Sequence, residues 1–385
     1  MKNKLIRITT VPISLDKLLS GQLNYMNSFY EVIAVSSGKE YLEKVGTKEN
    51  VRTFHLEMSR KITPVQDLIA VIRLFLFLKK EKPSIVHTHT PKAGVIGMVA
   101  AKLAGVPKRL HTVAGMPLLE AKGLKRQLLD LVEKLTYFCA TKVYPNSFGL
   151  RDIILENNYC KDGKLKVLAN GSSNGIDTDY FNPELFFEEE KQKLKNQLKI
   201  AHDDFVFVFV GRLVADKGIN EMIRAFKTLR QAQGDVPFRN CKLLLVGDYE
   251  NDLDPLLPET MESIRNDKSI ISVGFQADVR SYFAISNALV FPSYREGFPN
   301  VVMQAGAMGL PCIVSNINGC NEIIIEGQNG VIIPVKDSGT ILEKMLLFME
   351  DTSYYNLLRV KSRTMIASRY NQEVVWEALL REYKS

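Results

Sequence analysis

The sequence predicts an α/β protein of two Rossmann-like, doubly wound units, each a parallel sheet covered by helices on both faces. Three observations carry that prediction. Short β-branched or apolar runs alternate with longer stretches of helical periodicity, a turn-rich segment divides the alternation into two series, and 385 residues suffice for two or three domains of ~150 residues. Strands linked through helices pair in parallel by crossing over, and each crossover lays a helix on one face of the sheet.

In the first series the strand-like runs are 5–10, 31–35, 51–55, 85–88, 109–113, 142–145 and 165–168. In the second they are 205–210, 242–246, 270–273, 288–291, 312–315 and 331–333. The division follows: an N-terminal domain over 1–170, a linker over 171–200, a C-terminal domain over 201–365 and a final helical segment over 366–385. The linker reading rests on the turn formers from Asn170 to Asp179 and the charged stretch from Glu188 to Lys195. A further loop is expected from Gln231 to Asn240, around Gly234 and Pro237. Trp376, Ala378, Leu379 and Tyr383 give the last helix an apolar face, expected to pack back on the N-terminal domain.

Composition narrows the classes. With 46% hydrophobic and 24% charged residues the chain reads as an ordinary globular protein and excludes collagen, disordered tails and disulfide scaffolds. The longest apolar stretch, 68–78, carries Arg73 and is far short of the ~18–20 residues that cross a bilayer. The N-terminus alternates apolar residues with Arg7 and Thr9, so a first strand is expected there and not a signal peptide. Five scattered cysteines without a C-x-x-C pair fit a reducing cytoplasm and no zinc site.

Net charge is +7, unevenly spread: residues 1–170 hold 27 Lys and Arg against 14 Asp and Glu, and the remainder 23 against 29. A basic first half suits an anionic partner, either a lipid headgroup or a phosphorylated acceptor. Nucleic acid is the weakest of the anionic candidates and is not expected as a partner, because no recognition motif or aromatic-interleaved basic stripe is present.

In open α/β sheets ligands bind beyond the carboxyl ends of the strands. Three loops of the second half follow strands and carry chemistry. The run Phe205–Val210 leads into Gly211 and Arg212, then Asp216, Lys217 and Gly218 before a helix. Two cations beside a helix N-terminus suit a diphosphate. The second loop, Phe291 to Asn300, holds Glu296, Gly297, Phe298 and Pro299, with Asn300 as the expected N-cap of a helix carrying Gln304. Glu296 and Gln304 place two acceptors along one polyhydroxylated ligand. The third, from Ser315, adds Gly319 for a close backbone approach and Glu322 as another acceptor.

Gly211-Arg212 with Asp216-Lys217-Gly218, then Pro292-Ser293 with Glu296-Gly297-Phe298-Pro299, then Gly309-Leu310-Pro311 and Asn329-Gly330, resemble the donor-binding half of the retaining glycosyltransferases of family 4, group 1. The segment Ile85 to Gly94 and the run Asn170 to Asp177 are similar, less sharply, to that family's acceptor and linker signatures. The resemblance implies the GT-B fold, with its two domains facing a central cleft. It also implies a nucleotide diphosphate-sugar donor, UDP favoured, and a glycan or polyprenyl-diphosphate-linked saccharide acceptor in capsule, O-antigen or exopolysaccharide synthesis.

Carried over by residue, the resemblance makes Arg212 and Lys217 the cations on the donor diphosphate and Glu296 the contact to the transferred sugar. It adds Gly211, Gly297, Phe298, Pro299, Asn300, Gln304, Gly319 and Glu322 to the donor site. On the acceptor side stand His89, Thr90, Lys92 and His111. Two positions depart from the pattern: Gln304 stands where the family usually has a second Glu, and Ala114 where many relatives have His. The implied reaction retains configuration and needs no metal or other cofactor, and no Asp-x-Asp motif is present. A UDP-sugar 2-epimerase of the same architecture and a non-catalytic nucleotide-sugar sensor are the alternatives. A dehydrogenase is disfavoured by the lack of G-x-G-x-x-G.

The loop from Gly115 to Leu119 precedes Lys122, Lys125 and Arg126, and Leu124, Leu128, Leu131 and Leu135 follow at helical spacing. Both a core-facing helix and a shallow contact with an anionic membrane fit this pattern. The second would place a cytoplasmic protein at the inner face of the plasma membrane.

Overall fold

The strands form where β-branched and aromatic side chains concentrate, because such side chains pack on a pleated, buried surface. Phe205–Val210 is the extreme case: six alternating Phe and Val residues, the first five buried, each worth ~1.5–3 kcal/mol on leaving water. The structure, a computed structural model, describes residues 2–116, 118, 121–232, 240–250 and 254–385.

The chain divides into two units, residues 1–175 with 372–385, and residues 176–371. The first holds β1 (Lys4–Ile8), β2 (Glu31–Ser36), β3 (Arg52–His55), β4 (Ile85–His89), β5 (Lys108–Val113) and β6 (Lys142–Pro145). All pair in parallel in the order β3-β2-β1-β4-β5-β6, with Ile6 opposite both Ile33 and Val86. The second holds β7 (Phe205–Val210), β8 (Cys241–Val246), β9 (Ile270–Ser272), β10 (Ala288–Phe291), β11 (Cys312–Ser315) and β12 (Gly330–Ile333), in the order β12-β11-β10-β7-β8-β9. Numbered within its own unit, each sheet runs 3-2-1-4-5-6, the doubly wound order.

Strand alternation sorts the first unit's core. Ile6, Ile8 and Val86 point into the layer under the helices Pro64–Glu81, Pro91–Ala104 and Gly123–Cys139. Leu5, Val32 and Ile85 point to the opposite layer, shared with Leu379, Leu380 and Tyr383 of the final helix Gln372–Lys384. Arg7, His87 and His89 have the parity of Leu5 and Ile85, so they face that final helix. The second unit is one continuous apolar core.

Three expectations are corrected. The run 165–168 is not a strand: Leu165 makes a single bridge to Val143, and the chain turns away after the Lys166 N–H donates to the Val143 carbonyl. Residues 171–200 are not a separate linker. Ser172 and Asn174 are tied into the first unit, whereas Ile176, Phe181 and Ile200 are buried in the second unit's core. There the Arg363 guanidinium binds the carbonyls of Thr178 and Phe181 at 2.9 and 2.7 Å. The boundary at 365 also moves, because helix Thr352–Tyr370 continues with Ile366 and Tyr370 buried in the second core. Of the loop expected over 231–240, residues 233–239 lie outside the described residues. All five cysteines are free thiols.

Candidate functional site

The two strands at the topological switch of the second sheet are β7 and β10, neighbours in space though far apart in sequence. Loops leave their carboxyl ends side by side, the position where doubly wound sheets bind ligands. Gly218 makes that proximity possible, and Gly247 does the same on the other side, where the loop after β8 meets the end of β7. A Cβ on Gly218 (φ +70°) would lie 2.2 Å from the Pro292 carbonyl oxygen, and one on Gly247 would lie 1.9 Å from that of Gly211. The loop after β7 is thereby seated directly on the loop after β10.

This seating brings Lys217, Ser293 and Glu296 together. The Lys217 ammonium donates to Glu296 Oε1 at 2.5 Å and lies 3.5 Å from Ser293 Oγ, which is itself 3.0 Å from Glu296 Oε1. Lys217 and Glu296 are mostly shielded, with side chains 13% and 18% exposed, and Ser293 is fully buried. Around them Arg295 pairs with Asp216, and the Tyr294 hydroxyl donates to Glu221 at 2.7 Å. Burial and that hydrogen bond push the Tyr294 hydroxyl well above the ordinary phenol range. Arg212 is not in this cluster; half-exposed, it pairs at 2.6 Å with Glu250, beyond the end of β8. Gly211 ends β7 with its N–H on the Val246 carbonyl.

Beyond Glu296 the loop enters the helix Asn300–Ala307. Asn300 is its first helical residue and not its N-cap: Pro299 occupies that position, with φ −75° set by its ring, and no side chain caps the helix. Among the described residues the N–H groups of Gly297, Phe298, Asn300 and Val301 donate to no protein acceptor, leaving the helix start open to an anion. The Phe298 side chain is in the core, edge-on to Tyr370 at 5.5 Å. Gln304 is half-buried on the same helix, and its amide makes no hydrogen bond among the described residues.

Gly319 makes a close approach, and its partner is the neighbouring loop. A Cβ there would be 2.5 Å from the Gly297 carbonyl oxygen, and the Asn318 amide donates to that same oxygen at 2.6 Å. The third loop therefore props the second. Glu322 is half-buried beside it, its carbonyl accepting from the Tyr370 hydroxyl at 3.0 Å.

In the first unit the switch lies between β1 and β4. Thr10 and Thr90 meet there with hydroxyls 2.8 Å apart, Thr90 holding the left-handed φ of +76° at the start of helix Pro91–Ala104. His89 and His111 are buried. His111 is a packed residue, its Nδ1 2.8 Å from Thr88 Oγ1 and its ring so close beneath Gly94 that a Cβ there would be 2.6 Å from it. Burial lowers its pKa to about 4. Lys92 is engaged by Asp67 at 2.5 Å.

Three residues absent from the sequence reading of the site join it here. Arg7 is fully buried without a carboxylate partner, donating to the Tyr383 hydroxyl (2.9 Å), Gln22 Oε1 (2.5 Å) and His89 Nε2 (2.8 Å). Tyr383 OH lies 2.6 Å from His87 Nδ1, and His87 Nε2 lies 2.8 Å from Thr112 Oγ1. Since Arg7 is always a donor, His89 Nε2 must accept, which fixes its proton on Nδ1. Burial, reinforced by neighbouring positive charge, holds both His87 and His89 neutral, well below the usual imidazole range. A charged residue inside an apolar strand, and histidines spaced two apart on another, were the available signals.

Two successive doubly wound units, each with a polar loop cluster at its switch point, have the architecture of the GT-B fold. A crystal structure of Anabaena Alr3699/HepE in complex with UDP superposes with a TM-score of 0.81, covering all of both chains at 17% identity. The capsular polysaccharide biosynthesis glycosyltransferase CapM of Staphylococcus aureus is 33% identical over 100% of this chain and 98% of its own. An Escherichia coli UDP-Gal:alpha-D-GlcNAc-diphosphoundecaprenol alpha-1,3-galactosyltransferase is 31% identical over 84% of this chain and 81% of its own. The family models "Glycosyl transferases group 1" and "Glycosyl transferase 4-like domain" match residues 190–365 and 24–171. The chain belongs to the group 1 glycosyltransferases.

Proposed function

We propose that the chain transfers a hexose from a UDP-sugar to a polyprenyl-diphosphate-linked saccharide or related glycan, with retention and without a metal. One observation carries the reading: Lys217 and Glu296, an ammonium and a carboxylate, are held together at the switch point of the second sheet. The similarity to an enzyme named for UDP-Gal and a diphosphoundecaprenol acceptor supports the choice of donor and acceptor class.

In this reading the diphosphate lies against Lys217, Arg212 and the free N–H groups from Gly297 to Val301, with Gly211 allowing its approach. Glu296 accepts from hydroxyls of the transferred sugar, and Gln304 bonds the ribose diol through its amide. Pro299, Gly319 and Glu322 shape the loops that carry these groups. The bond from the anomeric carbon to the β-phosphate oxygen breaks and its electron pair stays with the phosphate. Lys217 and Arg212 stabilise the charge that develops there. The acceptor hydroxyl attacks the same face of the oxocarbenium-like carbon and passes its proton to the departing phosphate oxygen, which gives an α-linked product from an α-linked donor. His89 and Thr90 serve the acceptor side, whereas Lys92 and His111 act by packing and pairing. The same reading sets the protein at the cytoplasmic face of the membrane, where a lipid-linked acceptor is presented.

The test is transfer from UDP-galactose, UDP-glucose and UDP-N-acetylglucosamine to a polyprenyl-diphosphate N-acetylglucosamine acceptor, with and without chelator. An α-linked product, formed equally in chelator, is expected. A β-linked product, loss of transfer in chelator, or release of an epimerised nucleotide sugar would each overturn the corresponding part.

A further inference from the structure

Arg7 places a cation where packing alone asks for an apolar side chain. Two residues earlier on the same face of the sheet stand Leu5 of β1 and its β4 partner Ile85, both buried in the apolar layer under the final helix. The Arg7 guanidinium is fully buried with no carboxylate bonded to it, and its Nε has no hydrogen-bond partner. Glu49, the acid whose field reaches it, accepts instead from the backbone N–H groups of Gly21 and Asn24. An unpaired buried cation is costly to fold around, and a strand needs none for its packing.

Three acceptors fix the guanidinium, and each is itself held. The Gln22 amide nitrogen donates to the Ser173 carbonyl at 3.1 Å and to Asn174 Oδ1 at 2.9 Å, which turns its oxygen toward Arg7. Asn174 Oδ1 also accepts from the Trp376 indole at 2.7 Å. The Tyr383 hydroxyl is bonded to His87 as well as to Arg7. Trp376 and Tyr383 both belong to the helix Gln372–Lys384, so the final helix braces the guanidinium from beneath the sheet.

The third acceptor, His89, has a group left over. Both ring nitrogens of His87 are engaged, by Tyr383 and Thr112, whereas His89 is engaged through Nε2 alone. Its Nδ1–H, which the donating Arg7 enforces, meets no acceptor among the described residues, although His89 is only 4% exposed. A buried donor left unmatched is costly unless something from outside the chain takes its proton. His89 is the last residue of β4, at the carboxyl edge where a doubly wound sheet receives its ligand, beside the Thr10 and Thr90 hydroxyls. The same assignment removes one role. With Nδ1 protonated and the Nε2 lone pair on Arg7, the ring has no site for a further proton, so it serves a ligand oxygen as donor and not as general base.

We infer that Arg7, braced by Tyr383 and Gln22, is a positioning residue that fixes His89 as the Nδ1–H tautomer and so presents an N–H donor to an oxygen of the ligand received at the switch point of the first sheet. The inference rests on the acceptor-side reading of His89 and adds what holds that ring and which atom of it is offered.

Proton–nitrogen correlation spectra of the full chain labelled at histidine read the tautomer, with His89→Gln identifying the resonances. In the wild type His89 is protonated at Nδ1. Arg7→Met, of similar length and without a donor, frees Nε2, and the His89 signals move to the other tautomer or to a mixture. In the transfer assay the same variant raises the acceptor KM about tenfold. Its kcat stays within about threefold, and calorimetric UDP affinity does not change. His89→Asn, whose amide nitrogen takes the place of Nδ1, keeps an acceptor KM nearer the wild type than His89→Gln does. Tyr383→Phe, which deletes only a hydroxyl, raises the acceptor KM about two- to fourfold; should Arg7→Met not fold, a KM unmoved by Tyr383→Phe overturns the inference. A wild-type ring protonated at Nε2 overturns it too, as does a tautomer unaltered in Arg7→Met or a tautomer change that leaves the acceptor KM where it was. Absence of transfer by the wild type would sink the reading of the reaction alone. The His89 Nδ1–H resonance then decides: a shift on adding polyprenyl-diphosphate N-acetylglucosamine, lost in Arg7→Met, sustains the inference, and a resonance that this acceptor does not move overturns it.

Discussion

The two units share one strand order, 3-2-1-4-5-6, and put opposite chemistry at the same place. At the switch of the second sheet stands a shielded pair of opposite charges, Lys217 and Glu296. At the switch of the first stand two neutral hydroxyls, Thr10 and Thr90, above a buried Arg7 whose partners are all uncharged. Topology fixes where a ligand is received, and the loops decide what is received. The units also differ in how they treat water. The second gathers its buried apolar side chains into one continuous core, whereas the first buries a polar network under its final helix and leaves apolar stripes on its outer helices.

The sharpest break in the comparison is at Lys217. Lys217→Ala removes the cation from the second unit's switch, and transfer at saturating donor is expected to fall ~10²–10³-fold. Thr90→Ala, at the matching place in the first unit, should leave calorimetric UDP affinity unchanged. An unaltered rate in the lysine variant would dissolve the assigned contrast.

Glycine substitutions sharpen it next. Gly218→Ala combines a left-handed φ with a Cβ 2.2 Å from a carbonyl oxygen, and about 3–5 kcal/mol of destabilisation is expected in denaturant titration. Gly105→Ala in the first unit has φ +76° and open space around the added Cβ, so only about 1 kcal/mol should be lost. Equal losses would show that loop seating contributes nothing.

Acid should separate the units through their histidines. His111 titrates near 4 when folded and near the ordinary value of 6.5 when unfolded, so below 6.5 the unfolded state binds more protons. Its contribution is full above pH 6.5 and is lost as pH falls to about 4, roughly 3 kcal/mol in all. His87 and His89 act in the same direction. Hydrogen exchange followed from neutral to acid pH should therefore show β4 and β5 losing protection before β7 and β10. Simultaneous loss would contradict the assignment.

Tyr383→Phe removes the hydroxyl between Arg7 and His87, at an expected loss of about 1–3 kcal/mol in unfolding. UDP affinity should not change, since the network lies wholly in the first unit. The smallest effect is expected from Gln304→Glu, which places a carboxylate on an open amide position and should tighten UDP binding about three- to tenfold by calorimetry. No change would remove Gln304 from the ribose.

Much of this was legible in the residues. Every strand of both sheets was foreseen within two residues at each end, because buried parallel strands must be β-branched or aromatic runs between turn formers. The added strand at 165–168 fails because an apolar run says nothing about whether a partner edge is within reach. Asn300 has the right side chain for a cap, but the preceding proline's locked φ took the position. Gly319 signalled a close approach correctly, while its partner, the Gly297 carbonyl, is a residue of another loop.

The sequence alone determined the class, the two α/β series and the charged loops at strand ends, since each depends on local periodicity and on residues adjacent in the chain. Only tertiary structure decided which of those charges meet. Lys217 found Glu296, 79 positions away, while Arg212 found Glu250. It also decided the direction of the helix Gly123–Cys139, whose leucine stripe reads equally well as core or as surface. A periodic pattern fixes which residues share a face, and the direction of that face is set by the neighbours against which the helix packs.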